Sequence, residues 1–146
     1  MGVAAQNQAV SASRFAGTLL EILDRVEYRR VSPDELLDPV YKLRYEAYRR
    51  EDFVPFSPTG TVRDEFEDLP NAFCYGIYID GQLVSSLRLH HLTRDFRDSP
   101  SHSVFPDVLD PVLDRGDTII DPGRFTADYE ASLAYPALPF LTLRLA

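Results

Sequence analysis

The pair Asp80-Gly81 lies between two apolar segments, residues 73–79 and 82–91. An Asp-Gly pair in this setting predicts a two-residue type I′ turn and therefore an antiparallel hairpin. Pairing outward from the turn places apolar side chains on both faces of the hairpin. Such a sheet needs cover on both sides, so we predict a layered α/β fold. The predicted cross-strand pairs are Ile77 with Val84, Phe73 with Arg88, Tyr78 with Leu83 and Cys74 with Leu87.

A helix is predicted ahead of the hairpin, over residues 33–50. Residues 32–35, Ser-Pro-Asp-Glu, form a capping box with proline at the first helical position. At the helical repeat, leucine, valine and alanine fall on one side and charged residues on the other. Arg44 breaks this pattern because it projects from the middle of the apolar side, and Tyr48 lies one turn beyond it. The helix therefore directs one guanidinium group towards the core.

The other segments predict short elements with long connections. We expect residues 1–13 to be a flexible tail and residues 14–146 to form a single domain. Residues 51–70 combine prolines with an acidic cluster and predict an irregular loop of the kind that often carries function. Pro122-Gly123 predicts a bulge, which could turn Asp121 and Arg124 to the same side. The helices are predicted over 14–25, 104–113 and from 138 onward, and the strands over 26–31 and from 118 onward. Because the chain ends in an apolar helix start, we expect it to be the N-terminal part of a longer fold.

Three arginines occupy positions where the pattern predicts burial: Arg44 in the helix, Arg88 in the hairpin and Arg124 beside the bulge. A buried guanidinium group is costly unless a carboxylate pairs with it. The acidic residues in a position to pair are Asp64, Glu67 and Asp121. Arginine binds carboxylates through a bidentate fork, so the six residues could form one network around a shared site. The alternative is that each arginine lays its stem on the core and keeps its head in water.

Composition excludes several function classes. A chain of 146 residues has room for one domain, and its net charge of −8 with scattered basic residues disfavours nucleic-acid binding. The sequence has no apolar run of about 18 residues, so no membrane-spanning helix is predicted. The single cysteine, Cys74, excludes an intrachain disulfide, and with no signal peptide visible we expect a cytoplasmic protein. The three histidines lack zinc-site spacing, so no metal site is predicted. The sequence also has neither a nucleophile elbow nor a phosphate-binding glycine loop.

Four motifs occur along the chain in an order that resembles known protein families. They are Leu43-Arg44-x-x-x-Tyr48, the acidic pair Asp64-x-x-Glu67, the strand segment Ser85-Ser86-Leu87-Arg88-Leu89 and the segment Asp121-Pro122-Gly123-Arg124-Phe125. Over roughly residues 26–145 this order resembles the acyl-homoserine-lactone synthases and the long-chain N-acyl amino acid synthases, which share the GNAT acyltransferase fold. The resemblance implies a mixed, mostly antiparallel central sheet with helices on both faces, of which this chain holds the N-terminal part.

The resemblance also implies a reaction: transfer of a fatty acyl group from acyl carrier protein, or from coenzyme A, to the amine of an amino acid or similar small amine. No bound cofactor is implied, since the acyl thioester is a co-substrate. Asp121, which stands where the family has glutamate, is the candidate base, and Glu67 is the second candidate. Arg124 completes the implied catalytic set. The implied substrate-binding residues are Arg44, Tyr48, Asp64, Arg88 and Phe125.

Several alternatives remain open on the sequence alone. Tyr48 stands where the lactone synthases prefer phenylalanine, and the chain has no tryptophan, so a homoserine-lactone product is the less favoured branch. A non-catalytic remnant or binding module is a second alternative. An acetyl-coenzyme A acetyltransferase is disfavoured because residues 126–139 contain no glycine for a pyrophosphate loop. For an acidic carrier protein, the basic residues on offer are Arg49, Arg50, Arg94 and Arg97. We predict that Arg88, Arg124 and Asp121 converge within hydrogen-bonding reach.

Overall fold

The computed structural model describes residues 13–32, 34, 38–144 and 146. Four antiparallel strands form one sheet in the order β1-β2-β3-β4. The strands are β1 (Val26–Arg30), β2 (Ala72–Ile79), β3 (Gln82–Leu92) and β4 (Ile119–Ala127). The helices are α1 (Arg14–Leu23), α2 (Pro39–Arg50), α3 (Pro100–Val104), α4 (Pro106–Asp114), α5 (Tyr129–Ala134) and α6 (Leu138–Leu143). A short 3₁₀ helix, Glu65–Asp68, lies in the connection between α2 and β2.

Helices cover both faces of the sheet, as the apolar pattern of the hairpin predicts. On one face, Val40 and Tyr41 of α2 pack with Cys74 of β2. On the other face, α1 and α6 pack against β2 and β3 in a cluster around Ile77. Cys74 and Ile77 are three residues apart in a regular strand and therefore point to opposite sides. The predicted layered α/β class is confirmed.

The hairpin turn forms where it is predicted, but the register beyond it differs. Asp80 and Gly81 both have positive φ, at 51° and 80°, as a type I′ turn requires. Tyr78 pairs with Leu83 as predicted, but Val84 is then an extra residue, and its side chain is buried in the core cluster. This bulge shifts every later pair by one, so the other three predicted pairs are wrong. The observed pairs are Ile77 with Ser85, Phe73 with Leu89 and Cys74 with Arg88.

Helix α2 begins six residues later than predicted. Its first residue is Pro39, and the Asp38 carboxylate caps it by accepting a 2.8 Å hydrogen bond from the Val40 N–H. A residue before proline is disfavoured in helical conformation, and Asp38 is extended with ψ 138°. The predicted start at residue 33 is therefore wrong as a start for this helix. The capping box itself involves residues 33 and 35, which lie outside the described residues.

The predicted bulge in β4 exists, two residues beyond its predicted place. Thr126 pairs with Ser86 and Gly123 with Arg88, so Arg124 and Phe125 together lie opposite the single residue Leu87. Arg124 takes the left-handed conformation with φ 52°. The bulge therefore follows Pro122-Gly123 instead of coinciding with it, and Asp121 stays in regular register opposite His90.

The other predicted elements differ only in detail. The helix predicted over 104–113 is α4, which begins two residues later at Pro106, and α3 is a separate helix that ends at Val104. The loop over 51–70 contains the 3₁₀ helix, and α6 forms within the segment predicted from 138 onward. The predicted tail falls almost wholly on residues 1–12, which lie outside the described residues. Across the described ranges, no helix is both long and apolar enough to cross a membrane.

Candidate active site

The inner end of the site is Arg44, whose side chain is fully buried beneath α2. Its Nη1 donates to Oε1 of Glu67, which is itself only 2% exposed, and its Nη2 contacts Sγ of Cys74 at 3.0 Å. An arginine is tolerated on the apolar face of α2 because the Glu67 carboxylate, on the 3₁₀ helix, pairs with its buried guanidinium group. Burial raises the pKa of the Cys74 thiol to about 11, so the sulfur is a neutral hydrogen-bonding neighbour and not a nucleophile.

The middle of the site is Arg88 on β3. The Val84 bulge places Arg88 opposite Cys74, and paired residues share one face of a sheet, so Arg88 lies on the α2 side. Its Nη1 donates to Oε1 of Glu67 at 2.7 Å and to Oδ1 of Asp64 at 2.5 Å, and its Nη2 reaches Oδ2 of Asp64 at 3.3 Å. Arg88 therefore joins Asp64, the N-cap of the 3₁₀ helix, to Glu67 within that helix.

The outer end is Arg124, which the β4 bulge turns towards Asp64. Its Nε donates to Oδ2 of Asp64 at 3.1 Å, and its Nη2 donates to the same oxygen. The guanidinium lies over the Tyr48 ring, with Cζ 5.6 Å from the ring centroid. Arg124 is 30% exposed, whereas the inner arginines are buried. The charged cluster thus runs from core to surface in the order Arg44, Glu67, Arg88, Asp64 and Arg124.

Electrostatics keep Asp64 ionised. Burial tends to raise the pKa of this carboxyl, but hydrogen bonds from Arg88 and Arg124 outweigh it and lower the pKa to about 2. Three guanidinium groups face two carboxylates, so the cluster carries a net positive charge. Nε of Arg44 and Nε of Arg88 have no hydrogen-bond partner among the described residues. Of the three guanidinium groups in the cluster, that of Arg124 is the most exposed, which makes the outer end suited to an anionic group.

Asp121 does not join the charged cluster. Its carboxylate accepts hydrogen bonds from Ser101 at the start of α3, from the backbone N–H at 3.0 Å and from Oγ at 2.6 Å. The predicted convergence is therefore correct for Arg88 and Arg124, which meet on Asp64, and wrong for Asp121. The reason is the place of the bulge, which changes the direction of Arg124 and leaves Asp121 in the regular part of the strand.

Two clefts of about 320 Å³ each open on either side of Tyr48. The charged cleft contains the outer end of the charged cluster; its walls are Tyr48, Asp64, Phe66, Arg88, Pro100, Gly123 and Arg124. The apolar cleft lies between α2, β4 and α5; its walls are Ala47, Tyr48, Arg50, Glu51, Phe53, Phe125, Thr126, Ala127, Tyr129 and Ser132. The bulge places the neighbours Arg124 and Phe125 in different clefts. In the part of the chain that is described, no group of three His, Cys, Asp or Glu side chains is arranged to hold a metal ion.

The structure brings together most of the residues singled out from the sequence. Arg44, Arg88, Arg124, Asp64 and Glu67 share one network, Tyr48 lies beside it, and Phe125 lies in the adjoining cleft. Sequence reasoning missed Phe66 and Pro100 in the charged cleft and His90 behind it. His90 had a usable signal, since it lies two residues from Arg88 and therefore on the same face of β3.

Comparison with known proteins gives a family and a fold. A family model described as N-acyl amino acid synthase FeeM matches residues 39–146. Among solved structures, the chain is similar to FeeM, an N-acyl amino acid synthase from uncultured soil microbes, with a TM-score of 0.57 and 18% sequence identity. The match covers 83% of this chain and 63% of FeeM, so the chain spans less than two thirds of the length of that protein. The likeness confirms the predicted GNAT-like fold. No curated protein sequence matches the chain.

Proposed function

Because this chain belongs to the FeeM family of N-acyl amino acid synthases, we propose that it is an N-acyltransferase. It moves a fatty acyl group from the thioester of acyl carrier protein or coenzyme A to the amine of an amino acid or similar small amine. The neutral amine nitrogen attacks the thioester carbonyl and gives up a proton, the C–S bond breaks, and the leaving thiolate takes up a proton. The observation that carries the proposal is the pair of unlike clefts that meet at Tyr48 and the Arg124–Phe125 bulge.

The charged cleft suits the acceptor. Nε and Nη2 of Arg124 are engaged by Asp64, while the side chain keeps 30% of its surface exposed at the cleft. A guanidinium group binds carboxylates with charge-assisted hydrogen bonds, so the exposed side of Arg124 can hold the carboxylate of an amino acid. The net positive charge of the cluster favours the same anion. Arg44, Glu67, Arg88 and Asp64 then fix Arg124 in place.

The apolar cleft suits the acyl chain. Its aromatic walls, Phe53, Phe125, Tyr48 and Tyr129, offer apolar surface that water solvates poorly. Burying each methylene group contributes about 0.8 kcal/mol, so a long acyl chain gains more than a short one. The thioester carbonyl then lies near the bulge, where the extra residue of β4 leaves backbone N–H groups outside the regular ladder. These N–H groups are the proposed donors to the oxyanion that forms during attack.

The proton acceptor stays a prediction, with Asp121 first and Glu67 second. Glu67 is buried between Arg44 and Arg88, which leaves it no open path to an amine. Asp121 is engaged by Ser101, so we infer that it takes the proton through a water molecule. Asp121→Asn and Ser101→Ala separate the two roles of Asp121. A base predicts a large loss of kcat in Asp121→Asn alone, whereas a purely structural anchor of α3 predicts similar losses in both variants.

The direct test is product formation by the whole chain. The protein is incubated with amino acids and either acyl carrier protein or coenzyme A bearing a long acyl group, and N-acyl amide is detected by mass spectrometry. Arg124→Met is expected to abolish product. Arg29→Met, which removes an exposed arginine on β1 outside both clefts, is the matched control and is expected to retain it. A folded wild-type chain that binds the thioester and forms no amide contradicts the proposal and favours the non-catalytic binding module.

A further inference from the structure

His90 lies directly behind the charged cleft and has no part in the proposed chemistry. It is only 1% exposed, on the same face of β3 as Arg88, and its Cα is paired with that of Asp121. Its neighbour His91 points to the opposite face and is exposed. Two adjacent histidines in one strand therefore have contrasting surroundings.

One hydrogen bond ties His90 to the wall of the cleft. Its Nε2 lies 3.0 Å from the carbonyl oxygen of Phe66, and the two rings meet edge to face at 6.2 Å between centroids. A carbonyl oxygen only accepts, so Nε2 is the protonated nitrogen and the bond is Nε2–H to O=C. Burial lowers the pKa of the imidazole, which keeps the ring neutral near pH 7.

Phe66 stands between the two carboxylates of the charged cluster. The 3₁₀ helix Glu65–Asp68 holds Phe66 and Glu67, and Asp64 is its N-cap, accepting a 3.0 Å hydrogen bond from the Phe66 N–H. A four-residue 3₁₀ helix has few internal hydrogen bonds and poor geometry, so contacts from outside decide its position. The bond from His90 is such a contact, and it comes from the rigid centre of the sheet.

We propose that His90 is a positioning residue: its Nε2–H holds the 3₁₀ helix against β3 and thereby sets where Asp64 and Glu67 meet Arg88 and Arg124. As a statement about activity, this inference rests on the proposed acyltransferase function. As a statement about structure, it stands on the hydrogen bond and the burial of His90. A displacement of about 1 Å at a reacting site can cost on the order of 100-fold in rate.

Substitutions at His90 differ in whether they keep the donor. In His90→Gln the amide nitrogen occupies the place of Nε2 and can still donate to Phe66. In His90→Asn the amide is one bond shorter and falls short of that carbonyl, and His90→Leu has no donor. The matched control is His91→Leu, which changes the exposed neighbour. The first measurement is amide hydrogen exchange in the segment 64–69 of the whole chain, and the second is kcat and KM for amide formation.

We expect faster exchange in segment 64–69 for His90→Asn and His90→Leu, and near-wild-type exchange for His90→Gln and His91→Leu. The kcat/KM of the first two should fall by about 10-fold to 100-fold, with recovery in His90→Gln. Equal behaviour of the Gln and Asn variants overturns the inference, and this comparison holds even if His90→Leu does not fold. If wild type itself forms no product, the proposed function fails, while the exchange pattern still decides the role of His90.

Discussion

Arg88 is the residue on which the charged cluster depends, since of the three arginines in the cluster it is the one that pairs with both Glu67 and Asp64. Removing Arg88 leaves buried oxygens of Glu67 and Asp64 short of a hydrogen-bond donor. Arg88→Met is therefore expected to lower the free energy of unfolding by about 3–5 kcal/mol, measured by denaturant titration. Arg29→Met breaks an exposed pair with Glu27 and should leave the unfolding curve unchanged. Similar curves for the two variants would show that the cluster contributes nothing to stability.

The low pKa of Asp64 predicts how stability depends on pH. The folded-state pKa of about 2 lies below the ordinary value of 3.8, so the stabilising contribution of Asp64 is present above about pH 4. It is lost as the pH falls from about 4 to about 2. Asp64→Asn keeps a side-chain oxygen that can cap the 3₁₀ helix but removes the titration.

The measurement is the free energy of unfolding from pH 6 to pH 2 for wild type and Asp64→Asn. We expect the difference between the two proteins to be largest at pH 6 and to shrink below pH 4. A constant difference over the whole range would mean that the pKa of Asp64 is the same in the folded and unfolded states.

At the scale of elements, α2 lies unusually close to the sheet at Gly76. A Cβ atom at this position would lie 3.1 Å from Val40 Cγ2, 3.0 Å from Leu83 Cδ1 and 2.9 Å from Tyr78 Cε2. Gly76→Ala should therefore destabilise the protein by about 1–3 kcal/mol, because the side chains around it must shift. Gly17→Ala in α1 has open space and should stabilise by up to about 1 kcal/mol. Thermal unfolding of both variants checks the opposite signs.

The apolar cleft, which α2, β4 and α5 enclose, predicts the acyl preference. Ala47 forms part of its wall, so Ala47→Phe shortens the space for a chain without touching the charged cluster. We expect kcat/KM to fall for long acyl donors and to change little for short ones, at about 0.8 kcal/mol for each methylene group excluded. Competition between donors of different length, read by mass spectrometry, gives the ratio. An equal loss for all lengths would place the acyl chain elsewhere.

The sequence predicted elements better than it predicted their registers. The Asp80-Gly81 turn and the apolar faces of β2 and β3 follow from local rules, whereas the bulge at Val84 comes from the packing of that side chain with Ile77 and carries no glycine or proline signal. The same distinction applies to the site. Buried arginines require carboxylate partners, so the charged cluster could be predicted. The direction of Asp121 could not, because it depends on the position of the β4 bulge, which lies two residues beyond its predicted place.

For the whole molecule, the net charge of −8 predicts how a carrier-protein donor behaves. Acyl carrier protein is acidic, so the two proteins repel at long range, and salt screens this repulsion over about 10 Å at 0.1 M. We expect kcat/KM with acyl carrier protein to rise between about 50 mM and 500 mM NaCl, and to stay constant with a neutral acyl-pantetheine thioester. A fall with salt for the carrier protein would reveal a local basic docking surface instead.

The bulge in β4 has a consequence for which ligands the protein can accommodate. Arg124 and Phe125 belong to different clefts, yet one peptide bond joins them, and adjacent Cα atoms are about 3.8 Å apart. The backbone therefore fixes the spacing between the charged cleft at Arg124 and the apolar cleft at Phe125, and side-chain substitutions do not change it. A ligand whose polar and apolar ends lie on either side of a single reacting centre can occupy both clefts at once. A ligand with a long spacer between its two ends can occupy only one cleft at a time.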